Sequence, residues 1–112
     1  MTNVVSTAHF KRNAKKLIRK YPSLVHEIER LIDLLEKEPL QGISLGKDCY
    51  KIRLAIASKG RGKSGGGRVV TCVKIENDVV HLLTIYDKAE KEDLEPNELD
   101  GILRDEDLLP EN

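Results

Sequence analysis

Residues 55–70 read AIASKGRGKSGGGRVV, and within them Ala57, Gly62, Lys63 and Ser64 match the relaxed spacing of a nucleotide-binding phosphate loop. In such a loop, successive backbone N–H groups and a helix N-terminus cradle the phosphates, the lysine reaches the outer ones and the hydroxyl holds magnesium. That chemistry needs a strand before the loop and a helix after it. Here Lys63 and Ser64 lead into Gly65, Gly66 and Gly67 and then a run of β-branched residues, which predicts a glycine-rich hairpin tip. The nucleotide-binding reading fails on this context. Phosphate contact of another kind survives: Lys59, Arg61 and Lys63 on a sterically open loop can follow a nucleic-acid backbone, which needs charge and close approach but no particular helix.

The charge pattern points the same way. The 112 residues carry 19 Lys+Arg and 19 Asp+Glu, a formal net charge of zero, yet the signs are segregated. Lys11, Arg12, Lys15, Lys16, Arg19 and Lys20 crowd the N-terminal fifth without an acid, and Lys47, Lys51, Arg53, Lys59, Arg61, Lys63, Arg68 and Lys74 face Asp48 alone across residues 46–74. From residue 75 on, acids dominate over Lys88, Lys91 and Arg104. A basic body with an acidic tail suggests a nucleic acid or a charged protein as partner. The acidic segment from Asp87 onward is expected to fold back near the basic face and weaken non-specific RNA binding.

Cys49 and Cys72 lack CxxC spacing and a nearby histidine pair, so they read as small sheet or core residues, and no metal site or cofactor is expected. His9 and His26 read as surface residues, and His81 as a core or edge histidine on the apolar side of its strand. No run approaches membrane-spanning length, and the basic residues follow the first apolar stretch, the reverse of a signal peptide. A soluble, cytoplasmic protein is expected.

The elements that position these groups follow from periodicity. Asn3 to Val5 predicts a short strand, after which Ser6 or Thr7 caps a helix to about Lys20 with Phe10, Ala14, Leu17, Ile18 and Tyr21 on one stripe. Pro22 and Ser23 break it. A second helix with Leu24, Val25, Ile28, Leu31, Ile32 and Leu35 runs toward Pro39, completing an antiparallel helical hairpin. From Tyr50 the period is two: Ile52, Leu54 and Ile56 alternate with Lys51, Arg53 and Ala55. Strands at Arg68–Ile75 and Val79–Tyr86, joined at Asn77-Asp78, complete a meander. A short helix at 96–103 presents Leu99, Ile102 and Leu103. The result is an α+β domain spanning 1–112: an N-terminal helical hairpin on an antiparallel sheet of three to four strands, a short C-terminal helix, and an acidic extension at about 95–112.

This order of elements resembles the RelE/ParE superfamily of bacterial toxin–antitoxin toxins, closest to its HigB-like branch. The segments YKIRLAIASKGRGKSGGGRVV (50–70) and LLTIYDKAEKEDL (82–94) carry the resemblance, which runs over residues 2–94 and leaves the final acidic stretch outside. It implies a metal-free endoribonuclease, an mRNA interferase that cuts mRNA in the ribosomal decoding site and inhibits translation, neutralised by a cognate protein antitoxin that is itself DNA-binding. The alternatives are a non-enzymatic gyrase inhibitor of the ParE type or an inactive RNA-binding member.

Metal-free cleavage has the 2′-hydroxyl attack the adjacent phosphorus, so the site needs cations for the phosphorane, a base for the hydroxyl and an acid for the leaving 5′-oxygen. Arg53 and Arg68 share the polar face of adjacent strands and, by the resemblance, sit where such toxins keep functional arginines; both also read as exposed sheet charges. Tyr86 can stack on a base or donate a proton, or it is a core or rim tyrosine. A three-residue turn at 76–78 sets Arg68 opposite Tyr86 and gathers Val69, Val73, Val79, Leu83 and Ile85, whereas a two-residue turn sets Arg68 opposite Asp87. The first register is favoured. Lys88 completes the expected catalytic set, and Lys51 and Lys91 join Lys59, Arg61 and Lys63 as RNA-binding cations.

Overall fold

The computed structural model describes residues 1–59 and 65–110; Arg61 and Lys63 lie outside the described residues. The chain runs β1 (Asn3–Ser6), α1 (Ala8–Lys20), α2 (Leu24–Lys37), β2 (Ile43–Gly46), β3 (Cys49–Leu54), β4 (Gly67–Lys74), β5 (Val79–Asp87) and α3 (Glu98–Asp105). The strands form one sheet in the order β1-β5-β4-β3-β2. The expected α+β plan holds, with two additions. The sheet has five strands, and β1 pairs with β5 in parallel while its other ladders are antiparallel.

Thr7 begins α1. Its hydroxyl accepts from the Phe10 N–H at 3.2 Å and donates to the Leu82 carbonyl at 2.8 Å, which fixes the helix start to β5. Phe10, Ala14 and Leu17 of α1 and Leu24, Ile28, Leu31 and Leu35 of α2 bury against Ile52, Leu54, Val69, Val73, Val80, Leu82 and Ile85 of the sheet. No helix among the described residues is long and apolar enough to cross a membrane.

The β2 strand escaped the sequence reading because of its turn. Lys47 and Asp48 both take positive φ (54° and 64°), the geometry of a type I′ hairpin that Asn-Gly usually marks, without a glycine at either position. The β4–β5 connection differs too. Ile75–Asn77 forms a 3-10 turn closed by Asp78 in the left-handed region, so Lys74 faces Val79. A bulge then shifts the register between Val70 and Thr71, and Arg68 falls opposite Tyr86 after all. The expected pairing is reached by a longer turn and a bulge instead of a three-residue turn.

The bulge also changes which side chains meet. Val80, Leu82 and Ile85 join the helix-side core, whereas Leu83, expected there, turns to the opposite face with Cys49, Val70, Cys72 and Tyr86. Ile75 leaves the strand and stands 75% exposed. His81 pairs with Cys72 on the second face instead of the helix-side core. That second face was expected to be polar; it is a second apolar layer closed by Ile102 and Leu103 of α3, with Leu94, Leu99 and Leu108 at its rim.

Candidate nucleic-acid cleft

Arg53, Arg68 and Tyr86 form one row across β3, β4 and β5, since each is the Cα partner of the next. Neighbouring strands stand about 4.8 Å apart, so the row spans about 10 Å. A cleft of about 310 Å³ opens at the Arg53–Arg68 end of this row, lined by Lys51, Arg53, Arg68, Lys88, Glu92, Asp93 and Ile43. Lys51 and Arg53 enter it because residues two apart on β3 share a face. Lys88 is held at the exit of β5, where its N–H donates to the Gly66 carbonyl at 3.1 Å.

Arg68 is only 4% exposed, and its Nη1 donates to the Gly67 carbonyl at 2.9 Å. Arg53 is exposed. One guanidinium is thus fixed by the fold and its neighbour is free to follow a ligand. Two planar guanidinium groups on adjacent strands suit the oxygens of a phosphate.

The glycines at the base of the loop have a steric reason. A Cβ on Gly66 would lie 2.2 Å from the Leu54 carbonyl oxygen, so β3 and the start of β4 approach more closely than any side chain allows. The chain leaves Gly67 directly in β4, and Ala57–Lys59 is a single 3-10 turn. The strand that follows excludes the helix a nucleotide phosphate loop requires.

Lys59, expected as an open loop cation, is held inside the fold in this structure. Its side chain is 7% exposed, and its ammonium lies 2.5 Å from the fully buried Asp87 carboxylate and donates to the Gly65 carbonyl at 2.9 Å. Tyr21 donates to the other Asp87 oxygen at 2.9 Å, and the Ala89 N–H also donates to Asp87. Burial pushes the Asp87 carboxyl up, but the hydrogen bonds from Lys59, Ala89 and Tyr21 and the Lys59 charge together hold it below the ordinary value of 3.8. The cluster fastens the two ends of the glycine-rich segment to the end of β5. Sequence reading missed it because Lys59 and Asp87 are far apart in the chain.

Tyr86 is buried at 7% exposure, and its hydroxyl has no hydrogen-bond partner among the described residues. Burial and the Asp93 charge push its phenol up, against the Arg68 charge, so it is a weaker acid than free tyrosine. Lys91 lies 5.8 Å from the ring centroid and is ion-paired with Glu98. We expect Tyr86→Phe to fold with unchanged or slightly raised stability, by up to about 1 kcal/mol, because it removes a buried polar atom without a partner; thermal denaturation checks this.

The acidic segment does fold back on basic residues. Lys20 pairs with Glu90 at 2.9 Å, Lys51 with Asp93 at 3.1 Å and His9 with Asp105 at 3.1 Å, and Lys47 pairs with Asp100. Among the described residues, no group of three or more His, Cys, Asp or Glu side chains is arranged to hold a metal ion.

The chain resembles a mutant of the E. coli toxin RelE in the free state (19% identity, 81% of this chain and 87% of that one, TM-score 0.59). It is similar to the toxin–antitoxin complex RelBE of E. coli (22%, 78% and 96%, TM-score 0.58) and to a RelBE complex of Mycobacterium tuberculosis (21%, 79% and 92%, TM-score 0.55). A family model described as the RelE toxin of the RelE/RelB toxin–antitoxin system matches residues 2–105. The chain belongs to the RelE toxin family of toxin–antitoxin systems. The match runs past residue 94 and takes in α3, which the sequence resemblance had left outside.

Proposed function

We propose that this chain is a ribosome-dependent mRNA interferase that cuts RNA without a metal and thereby inhibits translation. The observation that carries the reading is the row of Arg53 and Arg68 with Lys51 and Lys88 in one cleft beside the glycine-rich segment. In the proposed reaction the 2′-oxygen attacks phosphorus and loses its proton while the 5′-oxygen leaves and gains one, giving a cyclic phosphate and a 5′-hydroxyl. Arg68 and Arg53 stabilise the phosphorane charge, and Lys88 stands where it holds the phosphate or protonates the leaving oxygen. Tyr86, at the end of the row beside Arg68, backs the arginine from its buried position. Arg61, Lys63 and Lys91 contribute charge to the RNA path. No histidine lines the cleft, so the rate gain comes mainly from orienting RNA and stabilising charge.

A cognate protein antitoxin, DNA-binding as in many such pairs, is the proposed partner besides the ribosome and mRNA, and the cytoplasm the proposed location; the RelBE complexes among the similar structures support the antitoxin. The experiment is mRNA cleavage in a purified translation system with ribosome-free RNA as control. Inhibition of DNA gyrase without cleavage would favour the non-enzymatic alternative, and neither activity would favour an inactive RNA-binding member.

Asp93 and Glu92 place carboxylates in the same cleft, and Asp93 pairs with Lys51. They compete with RNA phosphate for the cations. Asp93→Asn is expected to tighten binding of single-stranded RNA about two- to fivefold at low salt, with the gain shrinking as salt rises, since an exposed pair of this kind is worth up to about 1 kcal/mol. Fluorescence anisotropy across a salt series measures it. Removing the whole segment after Leu94 would also strip Ile102 and Leu103 from the second core, so the point substitution is the cleaner test.

A further inference from the structure

Cys49 of β3 and Cys72 of β4 are Cα partners, and both thiols are free and fully buried. The adjoining pair is joined by the Val73 N–H donating to the Asp48 carbonyl at 2.8 Å. In an antiparallel ladder hydrogen-bonded and non-hydrogen-bonded pairs alternate, so Cys49 and Cys72 form a non-hydrogen-bonded pair, where Cα atoms approach to about 4.5 Å. That lies at the close end of the separations a disulfide spans, about 4.4 to 6.8 Å. The pairing thus places the two cysteines within bridging range.

The surroundings favour thiol chemistry. The neighbouring Cys49 thiol and the Lys74 charge pull the Cys72 thiol down against its burial, while Cys72 and burial push Cys49 up; the Cys49 thiol itself donates to the Lys47 carbonyl at 3.4 Å. His81 is the Cα partner of Cys72 on the other side, and burial and Lys74 lower its pKa, with Glu106 opposing, so it is neutral at pH 7 and able to accept a proton. The cover is a short helix: Ile102 and Leu103 of α3 close over the pair, and Asn97 begins α3 without a side-chain cap. Residues 88–97 form no helix or strand. An oxidant can reach the sulfurs from solvent only when α3 opens locally.

We propose that Cys49 and Cys72 are an oxidisable dithiol that closes to a cross-strand disulfide when a low-molecular-weight disulfide reaches it. Cys72 loses its proton and the thiolate attacks one sulfur of the oxidant, forming a mixed disulfide and releasing a thiolate, which takes up a proton to become the first thiol. Cys49 then loses its proton and displaces the second thiol, so two cysteines are oxidised and one disulfide is reduced to two thiols. The bond lies four ladder positions from the Arg53–Arg68 pair and closes the chain segment that contains the glycine-rich loop.

The test incubates the full-length reduced protein with oxidised glutathione at pH 7.5, blocks remaining thiols by alkylation, and maps peptides without reduction. The expected product is lower in mass by two hydrogens, carries one linked Cys49–Cys72 peptide and melts at a higher temperature; Cys49→Ala stops at a glutathione adduct on Cys72. Ile102→Ala, which loosens α3, is expected to speed closure severalfold. Alkylation of both cysteines after incubation, closure only in denaturant, or linkage only between two chains would overturn the proposal.

Discussion

Arg68→Ala is expected to lower ribosome-dependent mRNA cleavage at least about 100-fold, the scale seen when one preorganised donor to a developing oxyanion is removed. The size follows from placement. Arg68 stands between Arg53 and Tyr86 in the row across the sheet and is 4% exposed, so its charge acts in a medium far less screening than water. Its guanidinium is already oriented by the Gly67 carbonyl, and no reorganisation is needed when charge builds on phosphate. Arg68→Lys keeps the charge but loses the planar fork, and about a tenfold loss is expected from it. Arg53→Ala should cost less, since that side chain is exposed and must be ordered by the RNA. Single-turnover cleavage beside a thermal melt separates lost chemistry from lost folding; full activity in a folded Arg68→Ala would contradict the assignment.

Asp87→Ala is expected to destabilise the fold by about 3 to 5 kcal/mol, because it leaves the Lys59 ammonium buried without its counter-charge. Tyr21 would lose its acceptor as well. Asp87→Asn, which keeps an acceptor for Tyr21, should cost less, and Lys59→Met combined with Asp87→Leu should recover much of the loss. The same cluster sets an acid limit. The Asp87 carboxyl is held below its ordinary value of 3.8 in the fold, so its contribution is complete above that value and is lost as pH falls through the lower folded one. Urea unfolding between pH 3 and pH 7 should therefore show a decline at the acid end that is shallower in Asp87→Asn. An equal decline in both proteins would place the acid sensitivity elsewhere, and an unchanged midpoint for Asp87→Ala would remove the cluster as a fastening.

How far the sequence reveals this molecule depends on whether the signal is local. The α1 and α2 helices announce themselves because each keeps a single apolar stripe between charged residues, and Thr7 stands where a cap is wanted. The Arg68–Tyr86 pairing was also legible, but only as an outcome, since the bulge on β5 that restores it has no residue marker of its own. For β2 the turn itself misled, because a lysine and an aspartate hold conformations usually signalled by glycine. The second core is a two-residue alternation that gained meaning only when α3 was seen to lie on it. At the site, charge segregation and strand period marked Lys51, Arg53 and Arg68. They could not show that Lys59 is tied to Asp87, because that bond joins residues whose neighbourhoods in the chain share nothing.

The most direct test of the central claim is primer-extension mapping of a defined mRNA incubated with the purified protein, once with translating ribosomes and once with the same RNA alone, both in the presence of a metal chelator in the protein stock. Discrete cuts within translated codons are expected that need ribosomes and survive chelation of the stock, leaving a 5′-hydroxyl on the downstream fragment. Intact mRNA on actively translating ribosomes, at protein concentrations well above those of the ribosomes, would contradict it.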